Sequence, residues 1–468
     1  MNRVFLIIVS LIITNISAGQ KLSLQQCIDT ALKNNIEIRQ TQLLSEAASV
    51  QYRQSKANLL PNINGSISHG INQGRSIDPF TNAYVNQNIT YSNYGVSGNL
   101  PLFNGFSLRS EMKRFAYAYN AARLEAEQTK VDITLDVILA YLQVLNNEDL
   151  LEVSKQQVIV TQKQIERLEI LHRQGAVNPP QLHELRGQLK DNELTVLLNQ
   201  NALQTAKLQL AQVMNVPYDA QIQLERLNNE QMLEQPKLAA NEVYQKAINQ
   251  LAGIKAAEYR TRSAEAAVRS NRGALFPVLS LNGGGSTTYS SIAARETLLN
   301  TTDVTTSSYV IVNGNPVPVI AKRNNFQSEK IPYGDQLKNN IYSNFGLVLR
   351  VPLFNSFQTR NQIRLAEIEF KNSQLIAENV KVQLRQQVEQ AHLNLMNAWS
   401  RYKVLLEQVE SFREAFRAAE VRFNAGVGNS VDYVIAKNNF DRANLNLIIA
   451  KYDYLLRKEV IEYYTGTL

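Results

Sequence analysis

Four histidines, one cysteine and a scatter of carboxylates are the residues here that could do chemistry, and their spacing speaks against a reaction centre. His172 and His183 are the closest pair, flanking a glycine turn at Gly175. A zinc site needs further ligands beside them, and none accompanies them; His69 and His392 stand alone. Cys27, the single cysteine, lies in LSLQQCIDTALKNN, a helical pattern in which a packed thiol is expected. No GxSxG, GxxxxGKS/T or HExxH pattern occurs. The run NGGGS at Asn282–Ser286 opens no helix after a buried strand, so it reads as a glycine-rich strand facing a lumen rather than a phosphate cradle. Trp399 reads as packing or interface on a helix. Neither an enzyme, a cofactor nor a metal is expected. Asp432, in GVGNSVDYVIA, follows the Gly426–Ser430 turn, where a carboxylate complements the positive end of a helix.

The elements that would position these residues follow from composition and pattern. The chain has 468 residues, with 44% hydrophobic and 19% charged, which is neither a disordered chain nor a helical membrane protein. Its formal charge is +7 and its pI about 9.2. The basic residues are spread along the chain, so they read as solvated helix faces and no nucleic-acid partner is expected. The start, MNRVFLIIVSLIITNISAGQK, has one arginine, an apolar core and then Ser17, Ala18 and Gly19. That is the pattern of a secretory signal peptide over Met1–Gly19.

The chain repeats itself. VPLFNSFQTRN at Val351–Asn361 echoes LPLFNGFSLRS at Leu100–Ser110. One offset pairs Pro101 with Pro352, Phe103 with Phe354, Asn104 with Asn355 and Arg109 with Arg360. Without a gap it goes on to pair Gly175 with Gly426. A shorter offset pairs Pro61 with Pro277 and Ala31 with Ala247, so the second copy carries an insertion between Pro277 and Pro352. The expected layout is a first repeat over Gln20–Pro217, a linker over Tyr218–Ala239 and a second repeat over Ala240–Leu468.

Two periods alternate within each repeat. Apolar residues recur every seven positions at Val144, Leu151, Val158 and Ile165, mirrored by Leu395, Tyr402, Val409 and Phe416. Past the glycine turns the spacing resumes at Leu182, Leu189, Val196, Leu203 and Leu210, mirrored by Tyr433, Phe440, Leu447, Tyr454 and Ile461. Heptads on both sides of a short turn predict antiparallel coiled-coil hairpins. Helices of about 70 residues would reach roughly 100 Å. Just before each repeated phrase the period becomes two. Ile341, Phe345, Leu347, Leu349 and Val351 alternate with Tyr342, Asn344, Gly346 and Arg350; Tyr94, Val96 and Leu100 alternate with Gly95, Ser97 and Asn99. The prolines Pro61 and Pro277 lead into similar stretches. Strands of about ten residues suit a transmembrane β-strand, or a half-buried strand of a soluble sheet. If they span a bilayer, four strands cannot close alone, and several chains must pool them. Pro101 and Pro352, which cannot donate to a ladder, would then mark strand-to-helix junctions, with Phe103 and Phe354 in an interfacial aromatic girdle.

With these features in this order, the chain resembles the TolC-like outer-membrane efflux family over essentially its whole mature length. The resemblance implies a mainly α protein with membrane β. Its long antiparallel hairpins would form a periplasmic α-barrel, and its four strands would join a trimeric β-barrel in outer-membrane lipid. It implies a homotrimer that docks on a periplasmic adaptor and an inner-membrane pump, with the strand-connecting loops outside the cell. The turns Gly175, Ala176, Val177 and Gly426, Val427 match the family's periplasmic tip. Asp432 falls on the first acidic position of the family's gate and Ile435 on the second. Phe423 falls on the tip aromatic, Gly428 on the gate arginine and Gln181 on the partner acidic position. Lacking those polar partners, the closed state is expected to rest on packing. The reading from another class is a soluble periplasmic coiled-coil adaptor or scaffold without a barrel.

Overall fold

The computed structural model describes residues 21–77, 82–174, 179–227 and 233–467. The expected signal peptide Met1–Gly19 and the turn residues Gly175, Ala176 and Val177 lie outside them. In chain order come helices α1 (Leu24–Asn34) and α2 (Ile36–Ala57), then strands β1 (Asn62–Asn72), β2 (Arg75–Ile77), β3 (Tyr84–Asn86) and β4 (Ile89–Phe103). Helices α3 (Ser107–Arg173), α4 (Pro179–Met214), α5 (Ala240–Gln250) and α6 (Ala252–Gly273) follow. Next are β5 (Val278–Ser290), β6 (Ala294–Val312), β7 (Asn315–Lys330), α7 (Tyr333–Asn339) and β8 (Tyr342–Arg350). Helices α8 (Gln358–Asn424) and α9 (Ser430–Thr465) end the chain. The duplication is visible in the helix lengths. α1 and α5 have 11 residues, α2 and α6 have 22, α3 and α8 have 67, and α4 and α9 have 36.

Two compact units form, each drawing on both repeats. The helical unit takes the chain up to Val50, Phe115–Ala264 and Glu369 onward; the sheet unit takes Gln51–Arg114 and Glu265–Ile368. In the helical unit, Ser23 starts α1 with a capping box. Gln26 N donates to its hydroxyl at 3.3 Å, and Ser23 N donates to Gln26 Oε1 at 3.0 Å. Ala239 keeps half of that device at α5, its N–H donating to Glu242 Oε2 at 3.1 Å. Asn35 then breaks the helix and caps α2, its Oδ1 accepting from Glu37 N at 2.9 Å. Every heptad position from Val144 to Leu210, and from Leu395 to Ile461, is buried or half-buried. Val137, Tyr141, Val144, Leu210 and Val388 are among the residues at the centre of the core. Trp399 packs there too, its ring 5.1 Å from that of Tyr454. The linker is strapped onto these helices. Tyr141 donates to the carbonyls of Leu22 and Glu225, and Lys207 to those of Ala220 and Ile222. No described helix is long and apolar enough to cross a membrane.

The sheet unit is an antiparallel sheet in the order β1-β4-β5-β8. Its register obeys the duplication: Asn62 opposite Asn99 in the first hairpin recurs as Val278 opposite Arg350 in the second. Much of the insertion between Pro277 and Pro352 forms regular elements. β5 runs on to Ser290, and the insertion folds as the hairpin β6–β7 followed by α7. An Asn313-Gly314 turn with φ of 53° and 82° closes that hairpin, as its β-branched flanks and Asn-Gly pair allow. Buried Gln336 ties α7 down by bonding Ser290 N and O and Ile331 O. A further difference concerns the junctions. Pro101 lies inside β4 at a register shift before Phe103, whereas Pro352 follows the end of β8. A bulge tolerates the missing N–H of a proline, so the strand survives it.

Candidate functional site

The sheet has two chemically different faces because strand residues alternate. One face carries Ile63, Ile67, Ile71, Val96, Leu281, Phe345, Leu347 and Leu349, as the paired positions require. Gly283 leaves room for the Phe345 ring, for a Cβ there would stand 2.8 Å from Phe345 Cδ1. The other face carries Asn64, Ser66, Ser97, Asn99, Asn282, Ser286, Asn344 and Arg350. Asn99 donates to Asn282 across β4 and β5, and Thr288 donates to Asn93 at 2.7 Å. One face thus suits hydrocarbon and the other water. Asn99, Asn344 and Arg350, which alternate with apolar residues in the sequence, share the polar face. Among the described residues, the outer edges of β1 and β8 have no strand partner.

The two junctions share one geometry. Gly105 and Phe106 have φ of 62° and 60°; Ser356 and Phe357 have 54° and 61°. These consecutive left-handed residues turn the chain from strand into α3 and α8. Phe103 then meets Phe106 edge-on at 5.5 Å, and Phe354 meets Phe357 at 5.6 Å. Phe103 lies opposite Leu279, on the apolar face.

At the far end of α8, Gly426 with φ 75° closes the helix, and the N–H groups of Val427 and Gly428 both donate to Arg422 O. Gly428 is required by proximity: a Cβ there would lie 2.9 Å from Phe423 N. Asn429 caps α9 by accepting from Val431 N at 3.0 Å. Asp432 is exposed in the first turn of α9, and Ile435 is exposed on the same helix. Gln181 is half-buried in the first turn of α4. Phe423 stacks on Tyr433 at 5.0 Å and joins an apolar cluster of Ile165, Leu168, Leu182, Leu185 and Leu189. The structure therefore brings Phe423 to both helical hairpins, while Asp432 stays in solvent. Burial pushes the Tyr433 phenol well above its ordinary value.

One buried pair was missed in the sequence. Lys437 is only 4% exposed and bonds Asp441. Burial raises the Asp441 carboxyl, and the lysine works against it. The signal was available: Lys437 stands four residues after Tyr433 and three before Phe440, at an inward coiled-coil spacing. As for the other candidates, His69 bonds Ser92 at 2.8 Å and His392 contacts Leu238 O at 2.9 Å. Cys27 is fully buried, and burial pushes its thiol up to about 11. Among the described residues no group of three His, Cys, Asp or Glu side chains could hold a metal ion.

Comparison with known proteins agrees with this geometry. The family model described as outer membrane efflux protein matches residues 27–216 and 243–467. The outer membrane protein TolC of Salmonella enteritidis is 23% identical over 475 residues, covering all of this chain and 87% of that one. Among solved structures, the Campylobacter jejuni CmeC outer membrane channel gives a TM-score of 0.75 at 16% identity, covering 95% of this chain and 86% of that one. The Vibrio cholerae outer membrane protein VceC gives 0.74 at 15%, covering 94% and 96%. The open-state MtrE outer membrane channel of Neisseria gonorrhoeae gives 0.69 at 18%, covering 95% and 89%.

Proposed function

Because the chain belongs to the outer membrane efflux protein family, and is thereby an outer-membrane exit duct, we propose that three copies build the duct by pooling their sheets. The observation that carries this reading is the four-stranded sheet with one apolar face, one polar face and two unpaired edges. An open edge inside hydrocarbon leaves several costly unsatisfied groups. Under the duplication β8 corresponds to β4, and β1 to β5. β8 of one copy would meet β1 of the next as β4 meets β5 within the chain. The polar face then lines a wet passage. The protein acts as a conduit and not as an enzyme, and the adaptor reading from the sequence gives way to the channel family.

The helical unit would receive substrates from a periplasmic adaptor and an inner-membrane pump. Docking would fall at the helix turns Gly175, Ala176, Val177, Gly426 and Val427, of which Val427 is 74% exposed. The gate would combine an Asp432 ring with a latch of packing between Phe423 and the Ile165–Leu168 surface, in place of polar partners at Gln181, Gly428 and Ile435. The hairpins β2–β3 and β6–β7 would face outside the cell, where such barrels carry their long connections. Reconstitution tests the reading. Purified protein should run as a trimer in detergent and conduct ions across a planar bilayer. A stable monomer with full β content and no conductance would overturn it.

A further inference from the structure

We propose that Arg109 and Arg360 are twin phospholipid sites, each guanidinium binding the phosphodiester of a glycerophospholipid whose acyl chains lie against the apolar face of the sheet. This rests on the reading of that face as lipid-exposed. The guanidinium of Arg109 stands 5.7 Å from the Phe106 ring centre, and that of Arg360 stands 5.8 Å from Phe357. A path of contacts fixes the side of the sheet they occupy. Leu279 on the apolar face is opposite Phe103, Phe103 packs on Phe106, and Phe106 carries Arg109. The second copy repeats the ring pair and the arginine beside it, Phe354 against Phe357 and Arg360 over Phe357.

Neither arginine meets a carboxylate in the ion pairs of the described residues. Both stand in a first helical turn that holds no acid, where the helix dipole disfavours a cation. Their placement costs stability locally and gains no ion pair among the described residues. The backbone is also strained to hold them, since Phe106 and Phe357 take left-handed φ that aromatic residues avoid.

Exposure survives packing against the neighbouring helix end. Gly105 is buried against the end of α6, a Cβ on it reaching within 2.7 Å of Phe276 Cβ. Phe106 beside it nevertheless stays 57% exposed, close to the 55% of Phe357. A cavity of about 300 Å³ opens beside Arg360, lined also by Leu275, Leu353, Asn355 and Thr359. Leu353 there is 92% exposed. A planar cationic fork beside exposed apolar side chains matches a phosphate ester carrying hydrocarbon chains.

The test uses the detergent-purified full protein and native mass spectrometry with added phosphatidylglycerol. Its controls are a diacylglycerol with the same chains and inorganic phosphate alone. Wild type should retain phosphatidylglycerol at two places per chain and ignore both controls. Arg109→Gln and Arg360→Gln should each weaken one of the two sites roughly tenfold, and the double variant should weaken both to that extent. Either single variant suffices should the double variant fail to assemble. Equal retention by variants and wild type, or equal retention of the diacylglycerol, would overturn the proposal. Binding of inorganic phosphate alone would replace it with a free-anion site. A protein that does not enter bilayers at all would remove the lipid-facing reading beneath it.

Discussion

Ser356 occupies in the second junction the left-handed position that Gly105 occupies in the first, with φ of 54° against 62°. Glycine takes this conformation without steric cost, whereas serine does not. Ser356→Gly should therefore stabilise the protein by up to ~1 kcal/mol. The reverse change, Gly105→Ser, should cost more than that, because the new Cβ would press within 2.7 Å of Phe276 Cβ. Urea unfolding of both variants checks the asymmetry; equal and opposite effects would show that strain alone decides.

A barrel shared between copies would have a testable register. Gly98 lies opposite Gly283 where the repeats meet within one chain. The same relation between copies would set Leu349 of β8 opposite Ile67 of β1. Paired Cα atoms in antiparallel strands stand ~5 Å apart, within disulfide reach. The Leu349→Cys/Ile67→Cys variant should oxidise to covalent multimers on non-reducing gels. Moving the second cysteine to Ser66 should abolish the product.

Asp432 is exposed, and α9 already has its cap in Asn429. A threefold ring of Asp432 carboxylates would favour cations. Asp432→Asn should lower cation preference in planar-bilayer recordings and weaken block by multivalent cations, with trimer stability nearly unchanged. If selectivity does not move in a folded trimer, Asp432 lies off the pore.

Lys437 is buried within the helical unit, and its partner Asp441 is half-buried. Lys437→Met strands the Asp441 carboxylate and should cost ~3 kcal/mol. Adding Asp441→Leu should recover most of that loss, which a thermal melt of the two variants would read. A double variant as unstable as the single would mean the pair holds the helices by geometry and not by mutual neutralisation.

Glu459 gives a pH dependence. Burial first, then the charge of Glu462, push its carboxyl up to about 7 from 4.5, against the pull of Lys458. The folded chain holds this proton more tightly than the unfolded one. Its penalty is absent below pH 4.5, grows as pH rises towards 7, and is constant above. Glu459→Gln should add ~3 kcal/mol of stability above pH 7 and nothing in acid. A gain independent of pH would assign the effect to packing.

Much of this fold was legible in the sequence because its signals are local. Heptads every seven residues, alternation every two, and a repeated Pro-Leu-Phe-Asn phrase state helix, strand and junction within a few turns of chain. The repeated phrase marks where each strand gives way to a helix, with Phe103 closing β4 and Pro352 following β8, but it did not tell that Pro101 lies inside the strand. The packing roles of Cys27 and Trp399 were legible too, since a helical period already says which side turns inward.

What tertiary structure alone decided was partnership across long separations. β4 pairs with β5, joining the two repeats into one sheet, and no period in either strand names its neighbour. Lys437 and Glu459 look like ordinary helix-surface charges until the facing helices bury them. Phe423 joins both helical hairpins because the cluster around Ile165 and Leu182 comes from the other repeat. Arg109 acquires its side of the sheet only through the path from Leu279 to Phe103 to Phe106. Local periodicity fixes which residues can face inward or outward; desolvation and pairing by distant segments fix what each one meets there.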